Sequence, residues 1–195
     1  MRIMTGIRVE YFSSAWMIIE VLGSIGLGLV AGSFALLAFG GDSMIELISG
    51  FAVLSNLRSD VAGSEMHNKM TEQISSALLF ALIPTIGLGA VYSYVIGLRP
   101  EESPLGIAVA AGAVIVMPFL WLEKKKIGEQ TRSSPLRMDA VESVTCLLMA
   151  IALLGGLLLE LLLGLWWVDY LATCVILAFV AREALESYRE LRQEE

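Results

Sequence analysis

The chain has 195 residues, 56% of them hydrophobic and 17% charged, whereas ordinary soluble domains run at roughly 45–50% apolar and 25% charged. A formal net charge of -7 excludes the basic face that a nucleic-acid partner requires, and both cysteines, Cys146 and Cys174, lie in apolar runs, which excludes a disulfide framework. What remains is an all-α polytopic membrane protein, one transmembrane domain with room for about six spans of about 20 residues each and no soluble domain.

In chain order, Arg2 and Arg8 precede an apolar stretch from about Ser13 to Ala31. It carries Glu20 and no evident cleavage site, so it is read as a first span and not as a secretory signal. Gly23, Gly26, Gly28 and Gly32 give it a small-residue face that lets another helix approach closely. Gly32 and Ser33 mark a turn, and a second span follows from about Phe34 to Leu57, interrupted by Asp42 and Glu46. A polar loop from Arg58 to about Glu72 holds His67, read as a solvated loop residue. Ile74 to Leu98 and Pro104 to Leu122 contain no charge at all and are the clearest third and fourth spans. Glu123 to Pro135 reads as a basic loop whose Lys124, Lys125 and Lys126 are the ordinary positive-inside signal, placed where they can also touch lipid headgroups. A fifth span runs from about Leu136 to Leu159, Glu160 and Gly164 end it, and a sixth runs from about Trp167 to Ala184. Asp169 suits the positive end of that last helix; Cys174 is expected in the core, and Glu186 to Glu195 form a charged tail.

Six spans bring both termini to one side. Every lysine and arginine except Arg99 falls on that side, which marks it as the cytoplasm. The expected location is the inner or plasma membrane of a prokaryote. Tyr92, Tyr94, Trp166, Trp167 and Tyr170 group near the opposite, outer ends of the spans, with Tyr11 and Trp121 near the inner ends.

The acids inside spans carry the chemistry, because a carboxylate in hydrocarbon is costly and usually lines a site or a water-filled path. Asp42 and Glu46 are spaced i,i+4 and share one helix face, with Asp42 about 12 Å from the outer end. Glu142 and Cys146 repeat that spacing on the fifth span, roughly 10 to 16 Å from the inner end. The two pairs therefore meet near mid-membrane, and Glu20 reaches a similar layer. Two antiparallel helices presenting four such groups can surround a divalent ion in the coordination number of a zinc site. No basic residue lies within a span core, so these acids are neutralised by a bound cation or by protons. Asp139, at i-3 from Glu142, is assigned to the inner access path, with Arg137 or the helix start as its partner.

The run Gly28-Leu-Val-Ala-Gly-Ser-Phe-Ala-Leu-Leu-Ala-Phe-Gly-Gly-Asp-Ser-Met-Ile-Glu46 resembles the first-to-second span segment of the cation diffusion facilitators, a Gly-Ser-Xaa-Ala-Leu stretch followed by Asp-x-x-x-Asp. Leu136-Arg-Met-Asp-Ala-Val-Glu-Ser-Val-Thr-Cys146 is similar to that family's fifth-span segment, and Trp166-Trp-Val-Asp169 to the start of its sixth. The resemblance covers nearly the whole chain. It implies export of a divalent metal such as zinc, as a homodimer, in exchange for protons. Position by position, it makes Asp42, Glu46, Glu142 and Cys146 the transport-site ligands. Three of the four differ in residue type from the family pattern: Glu46 and Cys146 stand where it has Asp, and Glu142 where it has His or Asp. The chain is expected to lack the family's usual cytosolic metal-binding domain, in which it resembles the family's shorter branch. Cys146 favours zinc over the hard ions that an all-oxygen set would suit, and without histidine the proton-coupling role falls to Glu20 or Glu142.

The expected activity is thus zinc efflux by alternating access, with the metal as substrate, protons and lipid as the other partners, and no organic cofactor. Two other readings use the same residues: a metal-binding sensor or interaction protein that transports nothing, and a proton-driven carrier of small organic cations. No His-Glu-x-x-His or other hydrolase motif argues for an enzyme.

Overall fold

In the computed structural model the described residues are 2–58, 64–131 and 134–193, with side chains described over 4–55, 73–131 and 136–189. They form six helices: α1 (Arg2–Ala31), α2 (Phe34–Arg58), α3 (Ser64–Val95), α4 (Pro104–Thr131), α5 (Ser134–Leu163) and α6 (Val168–Gln193). No strand occurs among the described residues. The first five contain runs long and apolar enough to cross a membrane. In α6 Asp169, Arg182 and Glu183 interrupt the apolar run. That helix packs on α3, α5 and α2, which bury Asp169, whereas Arg182 stays exposed and pairs with Glu186 on the same helix.

The helices overrun the apolar stretches. α1 begins at Arg2, α3 takes in much of the expected polar loop, α4 continues through Lys124, Lys125 and Lys126 to Thr131, and α6 takes in most of the expected tail. Hydropathy reports where lipid ends, whereas a helix ends only where its i to i-4 ladder is broken. Lys, Glu and Gln are good helix formers and do not break it. The His67 side chain lies outside the described residues.

Around the bundle, α1 packs on α2, α2 on α3, α3 on α6, α6 on α5, α5 on α4 and α4 on α1, and α2 also reaches α5. The second helix is the most enclosed of the five apolar ones. Its Leu36 and Phe39 meet Met117 and Leu120 of α4, Met149 and Leu153 of α5 and Ile176 of α6 in one core with no exposed surface.

At one end of the bundle α1 and α3 finish on left-handed glycines, Gly32 (φ 68) and Gly97 (φ 75). The amide of the following residue returns to a carbonyl of the last turn, Ser33 N to Gly28 O at 3.0 Å and Leu98 N to Ser93 O at 2.9 Å, the bonding of a glycine-terminated helix. The same end carries the expected outer aromatic group: Tyr94, Trp166 and Tyr170 pack on one another, Arg99 lies 5.3 Å over the Trp166 ring, and the Tyr170 hydroxyl donates to Leu98 O. Asp169 stands in the first turn of α6, as expected, and has a second role. Its carboxylate accepts from the Ser33 hydroxyl and the Phe34 amide, so it caps the start of α2 from the first turn of α6. Cys174, expected in the core, is exposed on the outside of the bundle.

Candidate metal site

Asp42, Glu46 and Ser49 recur at i, i+4 and i+7 of α2 and form one polar stripe on a largely apolar helix. That stripe faces a cavity of about 190 Å³ between α2, α5 and α6, with α3 at its edge. Asp42 and Glu46 line it from α2, Glu142 and Thr145 from α5, Glu183 and Glu186 from α6, and Ser75 from α3. The Ser49 and Ser75 hydroxyls lie 3.1 Å apart across one wall. Asp42 and Glu46 are both buried, and one Glu46 oxygen has no hydrogen-bond partner.

Ligand atoms of Glu46, Asp139 and Glu142 all lie within 4.8 Å of one another. Oxygens bound to one divalent ion at about 2.1 Å must sit no more than roughly 4 Å apart, so a small contraction would bring these three onto a common ion. Asp42 approaches Glu183 of α6 closely enough for a side-chain hydrogen bond. Two carboxyl groups in such contact require a proton or a cation between them. Few environments in a hydrocarbon-facing bundle are so strongly anionic, and one that opens to a cavity is suited to receive a cation.

Of the residues expected at the site, Asp42, Glu46 and Glu142 meet around this cavity. Cys146 has no exposed surface and belongs to the apolar core. Its thiol lies against Glu46, within side-chain hydrogen-bonding reach, but is not among the groups lining the cavity. Glu20 is buried apart from it, accepting from the indole Nε1 of Trp16, with the Ser43 hydroxyl 3.4 Å from its other oxygen.

Asp139 is neither a helix cap nor a partner of Arg137. It is buried, joins the carboxylates of Glu46 and Glu142, and pairs with Lys124 at 2.7 Å. Lys124 has no exposed surface, so this one lysine of the run is no headgroup contact, and the expectation of an interior without a basic residue to offset the acids is corrected. The helical continuation of α4 past Leu122 turns this one lysine of the run inward, while Lys125 lies over the Trp121 ring at 5.7 Å.

Sequence reasoning passed over Glu183, Glu10 and the inward Lys124. Glu183 had a signal, since it lies inside the apolar stretch that ends at Ala184 and meets the same test as Asp42. Glu10 had none: it precedes the apolar run, and only the early start of α1 buries it.

The model of the family described as the cation efflux transmembrane domain matches residues 11–194. No curated protein matches the chain significantly.

Proposed function

Membership of the cation efflux family, shown by a match over residues 11–194 of the chain, makes this a multi-pass membrane transporter of metal cations, and from that premise we propose that its substrate is a divalent transition metal, zinc. Its ligands are Asp42, Glu46, Glu142 and Cys146. The observation that carries this reading is the gathering of Asp42, Glu46 and Glu142 from two helices around one cavity, where burial of acids without compensation would be costly. Cys146, packed against Glu46, supports zinc over magnesium or manganese, because a thiolate is a soft ligand.

In this reading the ion enters from the cytoplasmic side, where both termini lie. It loses its water to the carboxylates, and rocking of α2 and α5 against their neighbours then exposes it to the other side. A proton taken by Glu142 or by Glu20 as the ion leaves offsets part of the charge that the ion carries out. The carrier works as a homodimer in the inner or plasma membrane of a prokaryote.

Zinc flux into proteoliposomes tests the assignment. Asp42→Asn is expected to keep its helical circular dichroism and to lose flux; unchanged flux would refute the site. Zinc binding without flux in the parent protein would favour a sensor, and transport of organic cations without metal would favour the other carrier class.

A further inference from the structure

Glu10 of α1, Lys124 of α4 and Asp139 of α5 form a charged triad with almost no exposed surface. The Lys124 Nζ lies 2.7 Å from Asp139 Oδ2 and 3.9 Å from Glu10 Oε2. Asp139 is also one of the three carboxylates, with Glu46 and Glu142, whose ligand atoms cluster within 4.8 Å. One carboxylate thus belongs both to a fixed ammonium and to the candidate ion site. Glu10 also approaches Asp139 closely enough for a side-chain hydrogen bond, so a second acidic group stands beside the ammonium within its reach.

A buried ammonium needs an anion beside it, and so does a divalent ion. When an ion reaches Glu46 and Glu142, Asp139 is claimed from two sides. The lysine stem is flexible and its head is a compact point charge with rotatable donors, so closing the 3.9 Å gap to Glu10 asks for a movement of about one ångström at the end of that stem.

We propose that Lys124 is a tethered counter-cation of the transport site, which holds Asp139 while no metal is bound and gives it up to an arriving divalent ion by moving onto Glu10. The proposal rests on the site reading given above. Asp139 is then a ligand supplied on demand, and Lys124 is a positioning residue acting through it. The competition weakens metal binding, which aids release from a carrier, and it links occupancy of the cavity to the seam where α1, α4 and α5 meet.

Cadmium titration of the purified full-length protein by calorimetry is the test. Lys124→Gln is expected to bind cadmium about tenfold more tightly than the parent, within the range of coupling between linked sites. Glu10→Gln is expected to bind it more weakly, because the displaced ammonium has lost its second carboxylate. Both shifts should vanish in an Asp139→Asn background, and a shift that persists there counts against the exchange. A purely structural clamp would lower thermal stability without moving affinity in opposite directions. Glu46→Gln separates the two levels: cadmium binding that survives it overturns the site itself. Loss of binding in Glu46→Gln, combined with no tightening in Lys124→Gln, overturns the counter-cation alone. If Lys124→Gln does not fold, equal or tighter binding by Glu10→Gln overturns the proposal, and weaker binding upholds it.

Discussion

The carboxylate of Asp169 and the hydroxyl of Ser33 meet at 2.5 Å although they stand 136 positions apart in the chain. The other Asp169 oxygen accepts the Phe34 amide at 3.0 Å, while the Ser33 hydroxyl in turn accepts from Leu36 N at 3.1 Å. One side chain thus ties the start of α6 to the start of α2, where two helix dipoles present their positive ends. Because α2 carries Asp42 and Glu46, this contact helps set the depth and rotation of the stripe that faces the cavity.

Asp169→Ala should therefore lower stability by about 1–3 kcal/mol, the range for stranding buried donors and losing a cap. Ser33→Ala removes the cap of α2 and one donor to Asp169, whose other oxygen keeps the Phe34 amide, and should cost about 1–2 kcal/mol. Thermal unfolding of the detergent-solubilised protein, followed by circular dichroism, reads both, and Asp169→Ala should have the lower midpoint.

A second prediction concerns the seam between α1 and α2. A Cβ at Gly40 would lie 2.9 Å from Ser24 Cβ and 3.0 Å from the Ile25 backbone nitrogen, and backbone cannot yield cheaply. Gly40→Ala should destabilise the bundle by roughly 1–3 kcal/mol, as overpacking does. Gly26 has nothing within 4 Å of such an atom, so Gly26→Ala should be neutral or should stabilise by up to about 1 kcal/mol through helix propensity. Equal melting temperatures for the two variants would contradict the close approach at Gly40.

Glu183 tests the contribution of α6. Lying against Asp42 on the cavity wall, it should matter as an outer partner of a ligand does, and Glu183→Gln should weaken zinc binding roughly 10–100-fold. A fluorescent zinc-competition titration measures this. Wild-type affinity would make α6 a bystander.

Selectivity should follow the sulfur. Cys146→Ser is expected to weaken cadmium and zinc binding by at least about tenfold while leaving manganese within about threefold, since a hydroxyl is a poor substitute for thiolate toward soft ions. Competition among the three ions on one purified preparation gives the ratios. Parallel losses for all three would mean that Cys146 serves only the core in which it is buried.

Much of this molecule could be read from one dimension. Lipid imposes a narrow rule: every spanning backbone group must be bonded within its own helix, and only apolar runs of sufficient length can do so at low cost. Ile74 to Leu98 and Pro104 to Leu122 therefore declare themselves. The same rule makes Asp42, Glu46 and Glu142 conspicuous, because acids inside such runs demand compensation. Helical spacing joins Asp42 to Glu46 without reference to any other part of the chain.

Residues whose environment is made by another helix were beyond that reach. Lys124 lies in a run of three lysines that reads as the ordinary positive-inside signal, and only the rotation of α4 against α5 and α1 places it between Asp139 and Glu10. Asp169 reads as the acid at the start of its own helix, which it is, but its bond to the start of α2 exists only because that helix packs beside it. Cys146, singled out by its spacing from Glu142, is enclosed against Glu46, whereas Cys174, expected in the core, is exposed. Polarity along the chain reports the cost of leaving water, which each residue bears alone. Which partner offsets that cost depends on how helices distant in sequence are rotated against one another, and packing of the whole bundle sets that.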